Sequence, residues 1–148
     1  MKLSSKSLTA IKMFVDLGEH YQDDFISLVD IASRKEVSKK FLEQIVVPYK
    51  KAGLLIGSRG NQGGYKLAKA PHLITLKEII EVSENSLFEK QNEGNLIKEI
   101  LKELDQKIDE YFSSITLSSL VDKQIASYSN NYYCNSLSSR QSALNRRD

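Results

Sequence analysis

The chain has one cysteine, Cys134, so no disulfide can close within it, and its thiol chemistry suits a reducing cytosol. In a serine-, asparagine- and tyrosine-rich stretch that cysteine reads as an incidental thiol. Histidine is equally scarce. His20 and His72 stand apart from each other, and neither has a partner at the spacing a metal site needs, so no metal is expected. There is no nucleophile elbow, no phosphate-binding loop and no Cys-x-x-Cys. An enzyme and a bound cofactor are therefore not expected. No apolar run approaches the ~20 residues of a membrane span. The opening Met1-Lys2-Leu3-Ser4-Ser5-Lys6 lacks the apolar stretch of a signal peptide. These absences point to a cytoplasmic protein without a membrane partner.

An excess of one charge is also missing overall, since the net charge is only +2 over 148 residues. Its distribution is uneven. Residues 1–70 carry 12 Lys and Arg against 7 Asp and Glu, whereas residues 71–126 carry 6 against 11. A basic first half can face phosphates and an acidic second half can face protein. The 41% apolar content is enough for one domain with a core, or one domain with an appendage.

What is present begins with a helical pattern from Ser5 to about His20, where Leu8, Ile11, Phe14, Val15 and Leu17 recur between Lys6, Lys12, Asp16 and Glu19. Tyr21-Gln22-Asp23-Asp24 breaks it, and Phe25-Ile26 is short enough for a small edge strand. Ser27 with Asp30 three residues on marks a helix start, Leu28 to Arg34, burying Leu28, Ile31 and Ala32. Glu36-Val37-Ser38 makes a turn with Val37 as a plug. Ser38 caps a second helix from Lys39 to about Lys51, with Phe41, Leu42, Ile45 and Val46 inward and Pro48 bending its last turns. Helix, three-residue turn, helix is the helix-turn-helix layout. Gly53 ends the second helix.

Two short apolar runs follow, Leu54-Leu55-Ile56 and Tyr65-Lys66-Leu67, joined by Ser58-Arg59-Gly60-Asn61-Gln62-Gly63-Gly64. Three glycines within five residues favour a tight hairpin and let backbone approach a ligand closely. After Pro71, Thr75 and Glu78 form a capping box for a helix to about Ser83. Glu84 to Asn95 reads as a loop with one apolar pair, Leu87-Phe88. From Leu96 to about Ser113 runs a long helix with a coiled-coil seam, Ile97, Leu101, Leu104, Ile108 and Tyr111 or Phe112. That seam is a dimerisation candidate; the alternative is that the helix folds back on its own domain. Thr116 caps a last short helix, Leu117 to Ala126. The tail from Ser127 to Asp148, with Tyr128, Tyr132 and Tyr133, lacks periodicity.

A helix-turn-helix puts the first residues of its second helix into the major groove. Here these are Ser38, Lys39, Lys40 and Glu43. Ser38 and Lys40 can serve bases or phosphates, and Glu43 can accept from a cytosine amino group or simply stay solvated. The hairpin tip presents Arg59 to a minor groove, where negative potential is enhanced. Asn61 and Gln62 reach the groove floor or phosphates, while Gly60, Gly63 and Gly64 permit the approach. Lys50, Lys51 and Lys66 are generic phosphate candidates.

Taken together these residues resemble the Rrf-two family of bacterial winged-helix transcriptional regulators, of the IscR, NsrR and CymR type. The resemblance covers about residues 1–126. It is carried by Met1 to Lys6, Asp30-Ile31-Ala32, Phe41-Leu42-Glu43-Gln44-Ile45, Lys51-Ala52-Gly53-Leu54-Leu55, Ser58-Arg59-Gly60 with Gly63-Gly64-Tyr65, Thr75 to Glu84, and Thr116-Leu117 with Leu120. It implies a homodimer joined through the long helix and bound to a pseudo-palindromic operator, with half-sites one or more helical turns of roughly 34 Å apart. Residues at the positions of Ser38, Lys40 and Glu43 would read the major groove, and that of Arg59 would enter the minor groove. Cluster-binding members carry three cysteines in the loop before the long helix. Glu84 to Asn95 has none, which places the chain with the cluster-free branch. Cluster-free relatives such as CymR respond through a protein partner.

The fold expected is mostly α with a small β-wing. Residues 1–83 form a winged helix-turn-helix DNA-binding domain and 84–95 a loop. Residues 96–126 form the dimerisation helix and a short C-terminal helix, and 127–148 a polar tail. The function expected is a homodimeric DNA-binding repressor without an iron–sulfur cluster. The alternative is a winged-helix interaction or oligomerisation module controlled by a partner protein.

Overall fold

Each helix of the first half begins where the sequence supplies an oxygen to cap it. Ser4 accepts from the Ser7 amide at 3.2 Å, Ser27 from Asp30 at 3.1 Å, Ser38 from Phe41 at 3.4 Å and Thr75 from Glu78 at 3.2 Å. The Glu78 carboxylate returns the bond to the Thr75 amide at 2.9 Å, completing the expected capping box. The computed structural model describes residues 2–22, 24–84 and 95–129. Its order is α1 (Ser5–Glu19), α2 (Leu28–Lys35), α3 (Lys39–Lys51), β1 (Leu55–Ser58), β2 (Gly64–Leu67), a 3-10 turn at Pro71–Leu73, α4 (Leu76–Ser83), α5 (Asn95–Ser114) and α6 over residues 117–129. Most of the loop before α5, with Leu87-Phe88, and the tail from residue 130, with Tyr132, Tyr133 and Cys134, lie outside the described residues.

The core forms where α1, α3 and α4 meet. Met13, Phe14, Leu17, Ile31, Leu42, Val46, Tyr49, Ile74, Ile79 and Leu117 are all but sealed from solvent. Phe14 meets Tyr49 edge-on at 5.0 Å between centroids, and the Tyr49 hydroxyl donates to the Ile79 carbonyl at 2.7 Å. That bond lets a phenol enter a core that would otherwise leave its hydroxyl unpaired. Burial pushes the Tyr49 phenol above its ordinary pKa. Val37 and Phe41 pack partly buried against the same core, as the sequence reading places them.

In α1 the reading needs correction. Leu8 is half exposed, whereas Ala10 and Met13, which it did not name, are fully buried. Asp16, placed on the polar side, is also fully buried. The reason lies on another helix. Arg34 of α2 grips both Asp16 oxygens, at 2.9 and 2.7 Å, and Lys35 stands 3.8 Å away. The hydrogen bond to Asp16 raises the Arg34 pKa further above its already high value. This fork ties α2, and with it the helix-turn-helix, to the central helix. Arg34→Ala is expected to cost about 3 kcal/mol by urea denaturation, because it strands a buried carboxylate; Lys35 keeps the loss from being larger. A change below about 1 kcal/mol would show that Lys35 compensates Asp16 alone.

Two further differences follow from local chemistry. The turn between α2 and α3 contains no glycine, yet Glu36 takes a left-handed conformation, φ 52°, to make it. α6 runs three residues beyond the expected Ala126. In that last turn the Ser127 and Ser129 hydroxyls donate back to the Gln124 and Ile125 carbonyls at 2.7 and 3.4 Å. α6 also packs closely on α1, since a Cβ at Gly18 would sit 2.7 Å from Val121.

Candidate nucleic-acid interface

α3 starts in the open. Ser38, Lys39, Lys40 and Glu43 are all exposed, and Leu42, Ile45, Val46 and Tyr49 hold the opposite face in the core. The helix is thus fixed from behind and free in front. Its first turn leaves the Lys39 and Lys40 amides without a partner among the described residues, beside the two lysine side chains, an electropositive end. Ser38 accepts the Phe41 amide on its hydroxyl oxygen, which leaves its O–H free to donate. Lys39 and Glu43 form an exposed pair at 3.5 Å, which Glu43 must leave to accept from a base. Lys40 makes no ion pair among the described residues. The exposed face continues through Gln44 and Val47, which the sequence reading did not single out as contacts. Their signal was available in the helical period, one turn beyond Lys40 and Glu43.

The wing is the antiparallel pair of β1 and β2. Its register sets Leu55 opposite Leu67, Ile56 opposite Lys66, Gly57 opposite Tyr65 and Ser58 opposite Gly64. Leu55 and Leu67 anchor it in the core. At the tip the Gly63 amide closes on the Gly60 carbonyl at 2.9 Å, with Gly60 at φ 107°, a conformation that L side chains rarely adopt. Arg59, Gly60, Asn61 and Gln62 are exposed there and Gly63 is half-buried.

Gly64 differs from its neighbours. It is buried, and a Cβ there would collide with the Ile26 carbonyl. The close approach serves a bridge in which Tyr65 and Ile26 exchange backbone hydrogen bonds of 2.8 and 3.0 Å. The expected edge strand at Phe25-Ile26 is this single bridge, and it fastens the wing to the start of α2. The lysines around the wing are positioned by aromatic rings. Lys66 Nζ lies 4.5 Å from the Phe25 centroid and Lys50 Nζ 6.0 Å from that of Tyr65.

His20 is not isolated as the sequence suggested. Asp16, Glu19 and His20 converge at one end of α1. Arg34 grips both Asp16 oxygens and Lys35 donates to Glu19 Oε2 at 2.8 Å, so the cluster is an ion-pair network, with Glu19 Oε1 buried and without a hydrogen-bond partner among the described residues. His72 is exposed and separate.

At the far end, α5 is tied to α4 near its C-terminal end. Lys77 donates to Asp109 at 3.0 Å, which raises the lysine pKa, and the Leu76 amide donates to the Ile115 carbonyl at 2.8 Å. Phe112 is buried and Leu101 and Ile108 are half-buried. Leu96, Ile97, Ile100, Leu104 and Tyr111 are exposed large apolar groups along one helix. The seam read from sequence thus divides. Part of it meets the chain's own domain, and Ile97 and Leu104 do not. Ile100, absent from that seam, lies with the exposed group.

A family model described as "Rrf2: Iron-dependent Transcriptional regulator" matches residues 3–123. The IscR transcriptional regulator of Vibrio campbellii is 30% identical over 130 residues, covering 82% of this chain and 77% of that protein. The solved structure of T. potens IscR superposes with a TM-score of 0.73 at 34% identity, over 84% of this chain and 88% of its own. CymR, the global cysteine regulator of B. subtilis, gives 0.74 at 29% identity, over 83% and 98%.

Proposed function

The chain belongs to the Rrf2 family of transcriptional regulators, and on that premise we propose that it acts in the cytoplasm as a homodimeric repressor of a pseudo-palindromic operator. As a member of this family it is a DNA-binding regulator and not an enzyme. The observation that carries the finer reading is the pairing of an exposed, basic start of α3 with an exposed arginine at a wing tip, both rigidly backed by one core. Ser38, Lys39, Lys40 and Glu43 meet the major groove. Arg59, with Asn61 and Gln62, meets the minor groove, and Gly60 and Gly63 shape the tip while Gly64 seats the wing. Residues 1–83 make the DNA-binding unit, and α5 joins two copies through its exposed apolar strip.

An iron–sulfur cluster does not fit this chain. Such clusters need several thiolates, and residues 84–95 contain no cysteine. Among the described residues the acid–histidine cluster of α1 is neutralised by Arg34 and Lys35. Control by a regulatory protein partner is compatible with the acidic half of the chain.

Genomic capture tests the reading. Purified protein mixed with sheared host DNA at physiological salt is expected to enrich a palindrome upstream of a few genes. A folded dimer that enriches nothing would favour the interaction-module alternative. On the enriched site Arg59→Ala is expected to weaken binding about 10- to 100-fold, the span of one good groove contact. Glu43→Ala is expected to relax base preference with a smaller loss, and Lys40→Ala to flatten the salt dependence by about one unit of slope. Fluorescence anisotropy across a salt series reads all three; unchanged affinity in Arg59→Ala would remove the wing from the interface.

A further inference from the structure

Along one flank of α3 lies a partly enclosed cavity of about 340 Å³. Three helices build it. Lys6 comes from α1, Gln44, Ile45, Pro48 and Tyr49 from α3, and Val82 and Ser83 from the end of α4. Its volume lies within the range of small-molecule sites, and its lining is about evenly polar and apolar.

Two of those polar features are complementary. Lys6 is exposed and makes no ion pair among the described residues, so its ammonium is available to an anion. Pro48 sits inside α3 and has no amide hydrogen, so the Gln44 carbonyl one turn earlier loses its helical donor. Gln44 and Pro48 both line the cavity, which leaves that acceptor on the cavity's strip of the helix. A cation and an unspent acceptor across an apolar patch of Ile45, Tyr49 and Val82 match a small zwitterion. In such a ligand the carboxylate would face Lys6, the ammonium would face the Gln44 carbonyl, and the side chain would lie on the patch.

The surroundings are built to hold shape. The Ser7 hydroxyl, fully buried, meets Ser83 Oγ at 2.6 Å and donates to Glu84 at 2.5 Å, and the Ser4 amide donates to the same Glu84 oxygen at 2.7 Å. These bonds from Ser4 and Ser7 hold the Glu84 carboxyl below its ordinary pKa. They lock the start of α1 to the end of α4, and the Tyr49 hydroxyl ties α3 to the same frame through the Ile79 carbonyl at 2.7 Å.

We propose that this cavity is an effector site for a small α-amino acid, and that a ligand held against Gln44, which borders the exposed face of α3, changes operator affinity. The regulatory half rests on the DNA-binding reading above; the binding half does not. The test uses the full chain and three probes: L-valine, isovalerate, which lacks the amine, and isobutylamine, which lacks the acid. Amide shifts of Tyr49, Val82 and Ser83 in nitrogen-15 spectra are expected to move saturably with L-valine at a Kd of about 1 mM, and far less with either analogue. Lys6→Gln is expected to weaken this about tenfold. Pro48→Ala restores the helical hydrogen bond, so it is expected to raise the Tm and yet abolish the shifts, an outcome that mere structural damage cannot produce. Isovalerate binding as tightly as L-valine, or a Pro48→Ala variant that still binds, overturns the zwitterion assignment. No saturable shift with L-valine overturns the site. Operator affinity is expected to change roughly fivefold or more on saturation; saturable shifts with unchanged affinity overturn the regulatory half, and saturable shifts in a protein that holds no DNA uphold the site while removing the reading it deepens.

Discussion

Charging the exposed strip of α5, by Ile100→Glu together with Leu104→Glu, is expected to leave a folded monomer with operator affinity reduced about 100-fold or more. Both side chains are about half exposed in the single chain, at 54% and 43%, so the substitutions should not disturb its own core. In a dimer they place two like charges in each half of an apolar seam, where desolvation and repulsion both oppose association. A monomer then binds each half-site alone and loses the gain from tethering the second. Sedimentation at micromolar concentration reads the assembly, and anisotropy on full and half operators reads its consequence. A variant that stays dimeric with unchanged affinity would move the interface elsewhere on the surface. The buried end of the same helix supplies a contrast. Phe112 is 9% exposed within one chain, so Phe112→Glu should unfold the base of α5 instead of merely separating protomers.

Helices with local signals were legible in the sequence, and contacts set by distant partners were not. The caps Ser27, Ser38 and Thr75 fixed three helix starts, because a capping oxygen acts within three residues of itself. The glycine cluster marked the wing for the same reason. Asp16 was misplaced because its burial depends on Arg34, eighteen positions away and on another helix. Periodicity assigns a carboxylate to the solvent side unless a partner is known. Gly64 was read with the tip glycines as permitting approach to DNA, whereas its own contact is with the Ile26 backbone. Nothing within the hairpin announces that a third segment crosses it. The seam of α5 was found as a period, but a period does not say which of its members faces home. The cavity beside α3 had no sequence signal beyond Pro48, which read as a bend, because its walls come from three helices.

Replacing Gly64 with alanine is expected to lower stability by about 3 kcal/mol and the Tm by about 10 °C. The added methyl meets backbone, not a side chain that can swing away. It would overlap the Ile26 carbonyl and lie 2.9 Å from the Ser27 amide nitrogen. Relief requires parting Ile26 from Tyr65, which sacrifices hydrogen bonds of 2.8 and 3.0 Å. Each is worth about 1 kcal/mol net when made, and the rest of the loss comes from uncovering Ile26, now 8% exposed. Ser27 caps α2, so the damage reaches the helix-turn-helix as well. Gly60→Ala separates tip from anchor. At φ 107° it strains the turn by roughly 1–3 kcal/mol, yet its Cβ would meet nothing within 4 Å, so the strain stays local to the tip. Calorimetry should therefore show the larger fall for Gly64→Ala. Hydrogen exchange should show the Ile26 and Tyr65 amides opening in that variant and staying protected in Gly60→Ala. If Gly64→Ala melts within about 2 °C of the parent, the bridge is not what holds the wing, and Leu55 and Leu67 seat it in the core without help.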